Sequence, residues 1–182
     1  NVSFESKGGR ALDCNKFNTH QILTGSVHQG CIQLWDLSSS SSVGLTSVWL
    51  SDGEISCIEW SPEYANIFAV SNSTHSIELY STNSPSVVMK RKMNSCPTHL
   101  SFKPNNGNIL AVGSNNGQIT LFDLRYIEGP VMDLEFSDES ITSLQWIPFE
   151  EFQIMSSGGR KVLQWDISVT QSHPTTVRDD PN

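Results

Sequence analysis

The chain has little charge, and most of what it has is of one sign. Lys and Arg number 11 against 19 Asp and Glu, a formal net charge of −8, and charged residues make up 16% of the 182 positions. Phosphate contacts need clustered Lys and Arg, so this balance argues against direct nucleic-acid binding and against an anionic membrane surface. No apolar run approaches the roughly 20 residues that span a bilayer, so no membrane insertion is expected. The four cysteines, Cys14, Cys31, Cys57 and Cys96, are scattered, and none has the C-x-x-C spacing of a zinc or redox site. They are expected to be buried, reduced thiols packed as small hydrophobes. The five histidines are dispersed, and H-E-x-x-H, G-x-S-x-G, P-loop and G-x-G-x-x-G motifs are missing. Those absences predict no catalytic, cofactor-binding or metal-ligating residues, and a chain that is not an enzyme. Asn72-Ser73-Thr74 matches a glycosylation acceptor only by chance if there is no secretory context, and no secretory signal pattern opens the chain. The first residue is Asn rather than Met, so a segment of a longer, intracellular product is expected, in nucleus or cytoplasm.

What is present is a repeat. β-branched runs end in an aromatic at Trp35, Tyr80, Phe122 and Trp165, spaced 45, 42 and 43 residues apart. A second mark keeps step: Ile55-Ser56-Cys57-Ile58-Glu59-Trp60-Ser61-Pro62 is echoed at Pro97–Pro104 and Ile141–Pro148, with Leu12-Asp13-Cys14 as a worn first copy. Between the two marks lie small-residue runs at Ile22–Ser26, Ile67–Ser71, Ile109–Ser114 and Ile154–Ser157. Clusters of Asn, Gly, Ser and Pro separate these runs, which are strand and turn signals. Asn115-Asn116-Gly117 reads as a tight hairpin, because Asn and Gly tolerate positive φ. No stretch shows capped helical periodicity, so the chain is predicted to be all-β, with 37% hydrophobic residues to build its core.

The period and the closing Trp-Asp dipeptides, Trp35-Asp36 and Trp165-Asp166, resemble the WD40 family of β-propellers. The resemblance covers about residues 2–168. It implies four repeats of four-stranded antiparallel blades, at about 1–37, 43–82, 86–125 and 129–168, followed by a linker or disordered tail over 169–182. The outer strands are the weakest: Val43–Leu50, Val87–Met93 and Pro130–Phe136, with Val2-Ser3-Phe4 as a possible fourth. The family's typical repeat carries a Gly-His pair and a turn Asp that join a Ser or Thr and the Trp in a buried hydrogen-bonded set. Here the positions before the inner strand read Asp52-Gly53-Glu54, Asn94-Ser95-Cys96 and Asp138-Glu139-Ser140. The turns read His28-Gln29-Gly30, Thr74-His75, Asn116-Gly117 and Gly159-Arg160. The polar set is therefore expected to be missing, leaving packing to hold the blades. The resemblance implies seven or more blades as a rule, against the four found here. The segment then belongs to a larger propeller, or is completed by blades or strands of a partner, or closes alone with Val2-Ser3-Phe4 as the outer strand of the last blade.

The resemblance implies a non-catalytic scaffold that mediates protein–protein interactions within a multiprotein complex. The candidate interaction residues fall in the loops of one rim: Trp49, Asp52, Glu54, His75, Asn94, Asn116, Glu139, Arg160 and Lys161. Trp and Arg lead such a set because they bury large area with polar reach. Phe122-Asp123-Leu124-Arg125 resembles the Asp-x-Arg motif with which WD40 substrate receptors of cullin-type ubiquitin ligases dock on their adaptor. Asn116 replaces an acidic residue of that pattern, and elsewhere the same motif makes only local contacts. Lys90-Arg91-Lys92 reads as a basic cluster guarding an edge strand. Ser38–Ser42 reads as a flexible linker.

Overall fold

The computed structural model describes residues 9–27, 30–38, 44–126, 128–135, 139–168 and 174–179. The chain divides into two compact units, Asn1–Asn94 and Ser95–Asn182. In the first unit, sheet I contains β1 (Gly9–Cys14), β2 (Gln21–Ser26), β3 (Cys31–Asp36) and β4 (Gly44–Leu50). Sheet II contains β5 (Ile55–Trp60), β6 (Ile67–Asn72), β7 (Ser76–Ser81) and β8 (Met89–Lys92). In the second unit, sheet III contains β9 (Pro97–Phe102), β10 (Ile109–Ser114), β11 (Ile119–Asp123) and β12 (Met132–Leu134). Sheet IV contains β13 (Ile141–Trp146), β14 (Gln153–Gly158), β15 (Lys161–Asp166) and β16 (Thr175–Asp179). Every sheet is an antiparallel meander in chain order, the blade of a WD40-like propeller.

Register shows the four copies to be equivalent. Trp35 lies opposite Ile22, Tyr80 opposite Phe68, Phe122 opposite Leu110 and Trp165 opposite Ile154. Each first strand also shifts register at its start, between Gly9 and Ala11, Ile55 and Cys57, Pro97 and His99, and Ile141 and Ser143. A bulge twists and bends a strand, and repeating it at one position gives all four sheets the same local geometry.

The cores sit between sheets. In the first unit Leu23, Ile32, Leu34 and Trp49 of sheet I meet Ile55, Ile58, Trp60, Phe68, Val70 and Tyr80 of sheet II. Trp49 stands edge-on to Phe68 at 5.2 Å, and Phe68 stacks on Tyr80 at 5.5 Å. In the second unit Ala111, Ile119 and Leu121 of sheet III meet Ile141, Leu144, Trp146 and Trp165 of sheet IV. Glycine permits the closest approach in both. A Cβ on Gly25 would collide with Ile55 and Ile58, and one on Gly113 with Ile141.

Sequence repeats and sheets are offset by one strand: the outer strand that opens each repeat hydrogen-bonds to the preceding sheet, as β4 does to β3 and β8 to β7. The segment 169–182 is not wholly a tail, because Thr175–Asp179 forms β16 against β15. The backbone groups of the β15 edge recruit it, and it needs no apolar pattern of its own. β16 therefore fills the place considered for Val2-Ser3-Phe4, which lies outside the described residues, as do Val43, Phe136, Asp138 and most of the Ser38–Ser42 linker. The cysteines also differ from expectation. Cys14 is exposed and the other three are half-buried. Cys14 occupies the β1 place that Trp60, Phe102 and Trp146 hold in the other sheets, and it lies on the face of sheet I turned away from sheet II, which the alternate row Asp13, Leu23 and Leu34 meets.

Candidate functional site

The polar set expected to be missing is present in part. Trp35 Nε1 donates to Thr24 Oγ1 at 2.9 Å, and Trp165 Nε1 to Ser156 Oγ at 2.8 Å, both buried. Sheets II and III place Val70 and Val112 at the corresponding positions, and there the closing aromatics are Tyr80 and Phe122. Indole is thus kept where the second strand offers a hydroxyl. A buried acceptor left without its donor would cost about 1–3 kcal/mol, which couples the two positions.

Sheet II replaces the set with a different network. Glu78, only 2% exposed, receives Tyr80 Oη at 2.7 Å, Asn72 Nδ2 at 3.1 Å and Lys90 Nζ at 2.7 Å. Asn72 Nδ2 also donates to Ser51 Oγ at 2.7 Å, while its Oδ1 accepts from Thr74 Oγ1 and Ser76 Oγ at 2.8 and 2.9 Å. Lys90 lies directly across the strand pair from Glu78 and also pairs with Asp52. Burial, with the Glu78 carboxylate beside it, pushes the Tyr80 phenol well above its ordinary pKa. Asp52 and Glu78 hold the Lys90 ammonium up, and Lys90 holds Asp52 down. Lys90 is therefore the counter-ion of a buried carboxylate and not merely a guard of the sheet edge. The spacing of the sequence hides this, because the pairing depends on β7–β8 register.

The rim residues predicted from sequence divide by unit. In the first, Trp49 is a correction: it is 3% exposed, packs on Phe68 and Tyr80, and donates its Nε1 to Ser84 O at 2.8 Å. It is core, because the inward face of β4 covers sheet II. Asp52, Glu54, His75 and Asn94 are exposed at one end of the unit. The structure brings the first three together around the β6–β7 turn. Asp52 reaches Lys90, the Glu54 backbone exchanges hydrogen bonds with Ser73, and His75, at φ 59°, accepts from Met93 N at 2.7 Å. In the second unit Asn116 is exposed in the β10–β11 hairpin beside Gln118. Glu139 rests against Gly159, next to exposed Arg160 and half-buried Lys161. His28 and Gln29 lie outside the described residues.

Arg125 turns back on its own motif. Its Nε and Nη2 fork onto Asp123 at 3.0 and 2.7 Å, and the guanidinium lies 5.8 Å from the Tyr126 ring. The fork holds the Asp123 carboxyl below its ordinary pKa. The geometry is that of a local brace and lends no support to adaptor docking.

The sequence reading passes over the opposite ends of the sheets. There the first-to-second-strand turns expose Phe17, Tyr64, Phe149 and Phe152. The turns are braced. Buried Asn15 accepts from Phe17 N and Asn18 N and donates to Gln21 Oε1 and to Ala65 O of the next sheet. Ser61 Oγ caps Glu63 N and Tyr64 N. The available signal was the run Ile147-Pro148-Phe149-Glu150-Glu151-Phe152, which sets two aromatics around two acids inside a turn. Among the described residues no group of three or more His, Cys, Asp or Glu could hold a metal ion, and no helix is long and apolar enough to cross a membrane.

Residues 2–178 match the family model described as nucleolar protein 10-like, N-terminal domain, a β-propeller. Among curated relatives, the histone acetyltransferase type B subunit 2 of Candida glabrata is 21% identical over 99% of this chain and 44% of its own length. WD repeat-containing protein YPL247C of Saccharomyces cerevisiae is 25% identical over 87% of this chain and 34% of its own. Protein NEDD1 of Mus musculus is 33% identical over 70% of this chain and 19% of its own. The chain thus spans less than half the length of each of these relatives. Four equivalent antiparallel blades and a family match along nearly all of their length lead to one assignment: the chain belongs to the nucleolar protein 10-like N-terminal domain family of WD-repeat β-propellers.

Proposed function

We propose that this segment is a non-catalytic interaction scaffold in an intracellular multiprotein complex of nucleus or cytoplasm. The carrying observation is the contrast between the turns and their side chains. Buried Asn15 and Ser61 hold the turns in one conformation, while Phe17 and Tyr64 face solvent. Rigid turns that display aromatics bind partners with little ordering cost. That one relative is named as a subunit of a larger enzyme supports a place within a complex, and the relatives' greater length leaves further surface to contribute. Affinity purification of the full-length protein, followed by mass spectrometry, tests the reading. A reproducible set of proteins in near-stoichiometric amounts is expected. Recovery of the protein alone would overturn it.

A further inference from the structure

Within the second unit, the β9–β10 and β13–β14 turns flank an open cavity of about 350 Å³. Phe149 forms one wall. Its relative exposure is 105% and its φ is 70°, the left-handed region that bulky side chains avoid. The same turn position after β9 is Asn105, at φ 62°, a residue type that tolerates this conformation. Phe149 therefore combines backbone strain with full hydration of an aromatic ring, and folding recovers neither. The cation in the cavity wall is already engaged. Lys103 Nζ lies 5.6 Å from the Trp146 ring, 5.0 Å from the Phe152 ring and 3.9 Å from Glu151 Oε1. Glu150, next to Phe149, is exposed and has no side-chain partner among the described residues.

We propose that this cavity docks a basic peptide segment of a partner protein, with an arginine side chain laid across the Phe149 ring and its guanidinium paired with Glu150. A planar guanidinium suits both contacts, stacking on a ring while it forks onto a carboxylate. With Glu151 offset by Lys103, the Glu150 carboxylate on a chain of net charge −8 attracts a basic segment and repels an acidic one. The proposal rests on the scaffold reading and names the chemistry of one partner.

The test measures fluorescence anisotropy of labelled peptides, repeats of Gly-Ser-Arg and of Gly-Ser-Glu, with the full-length protein. Binding of the arginine peptide alone is expected. Phe149→Asn installs the residue that the equivalent turn already uses. It is expected to raise the Tm while weakening the arginine peptide about fivefold or more. Glu150→Gln should weaken binding comparably, and Glu135→Gln, exposed just after β12 in the same unit and outside the cavity lining, should leave it unchanged. The proposal is overturned if the arginine peptide does not bind by about 1 mM. It is equally overturned if Phe149→Asn and Glu150→Gln bind like the parent, or if Glu135→Gln weakens binding as much. If the arginine peptide fails while partners still copurify, the docking site falls and the scaffold reading stands. Loss of copurifying partners from the parent protein sinks the scaffold reading itself.

Discussion

Asp13 places a carboxylate at the seam between sheets I and II. Its Oδ2 accepts from Trp60 N at 2.7 Å, and its Oδ1 accepts from Cys14 N at 2.8 Å. Burial raises its pKa despite both donors and nearby Lys16. A carboxyl raised in the folded state favours folding most below its unfolded value of about 3.9, and that contribution is lost as pH climbs through the raised value. Asp13→Asn keeps an acceptor for Trp60 N and has no charge to desolvate. Thermal melts from about pH 3 to pH 7 should show the variant equal to the parent in acid and increasingly more stable above. A constant deficit across the range would refute the assignment. At this scale the sequence is a partial guide. Trp35, Tyr80, Phe122 and Trp165 are legible as equivalent residues because aromatics recur at one spacing. Trp49 is not legible as core, because a register shift in the β3–β4 pair between Leu34 and Trp35 decides which face of β4 turns inward. Phe149 is missed because no residue pattern reports a positive φ.

At the scale of the element, β8 is held by charge as much as by its ladder. Lys90 lies opposite Glu78, and removing one partner of a buried pair leaves the other desolvated and uncompensated. The Lys90 side chain remains 29% exposed, so the cost of Lys90→Met is expected below that of a fully buried pair, about 2 kcal/mol. Adding Glu78→Gln to the same chain should recover most of it, because the amide can still accept from Tyr80 without a charge to neutralise. Urea denaturation of the parent, both single variants and the double variant measures the coupling. Strictly additive losses would show that the two side chains do not act as a pair. β6 and β10 are readable from sequence because their apolar runs are buried from both sides. β16 is not readable: Thr175-Thr176-Val177-Arg178-Asp179 has one apolar residue, and its strand character comes from the β15 edge it completes.

At the scale of the molecule, the repeat in the sequence and the sheet in space are out of phase by one strand. The first unit ends at Asn94, after β8, whereas the second sequence repeat ends near residue 82, before it. A fragment of residues 1–94 keeps both of its sheets whole. One of residues 1–82 drops β8 and leaves Glu78 buried without Lys90. The longer fragment is expected to resist limited proteolysis and to unfold at higher temperature. Equal behaviour of the two would mean that β8 contributes nothing to the unit. The same offset bears on how such chains can change over generations. Because the order of four strands is cyclic, excising or duplicating about 43 residues restores a complete set of blades wherever the breakpoints fall. An insertion of any other length must be absorbed in a loop. Genes of this kind can therefore lengthen or shorten by unequal crossing-over without any breakpoint having to respect the edge of a blade.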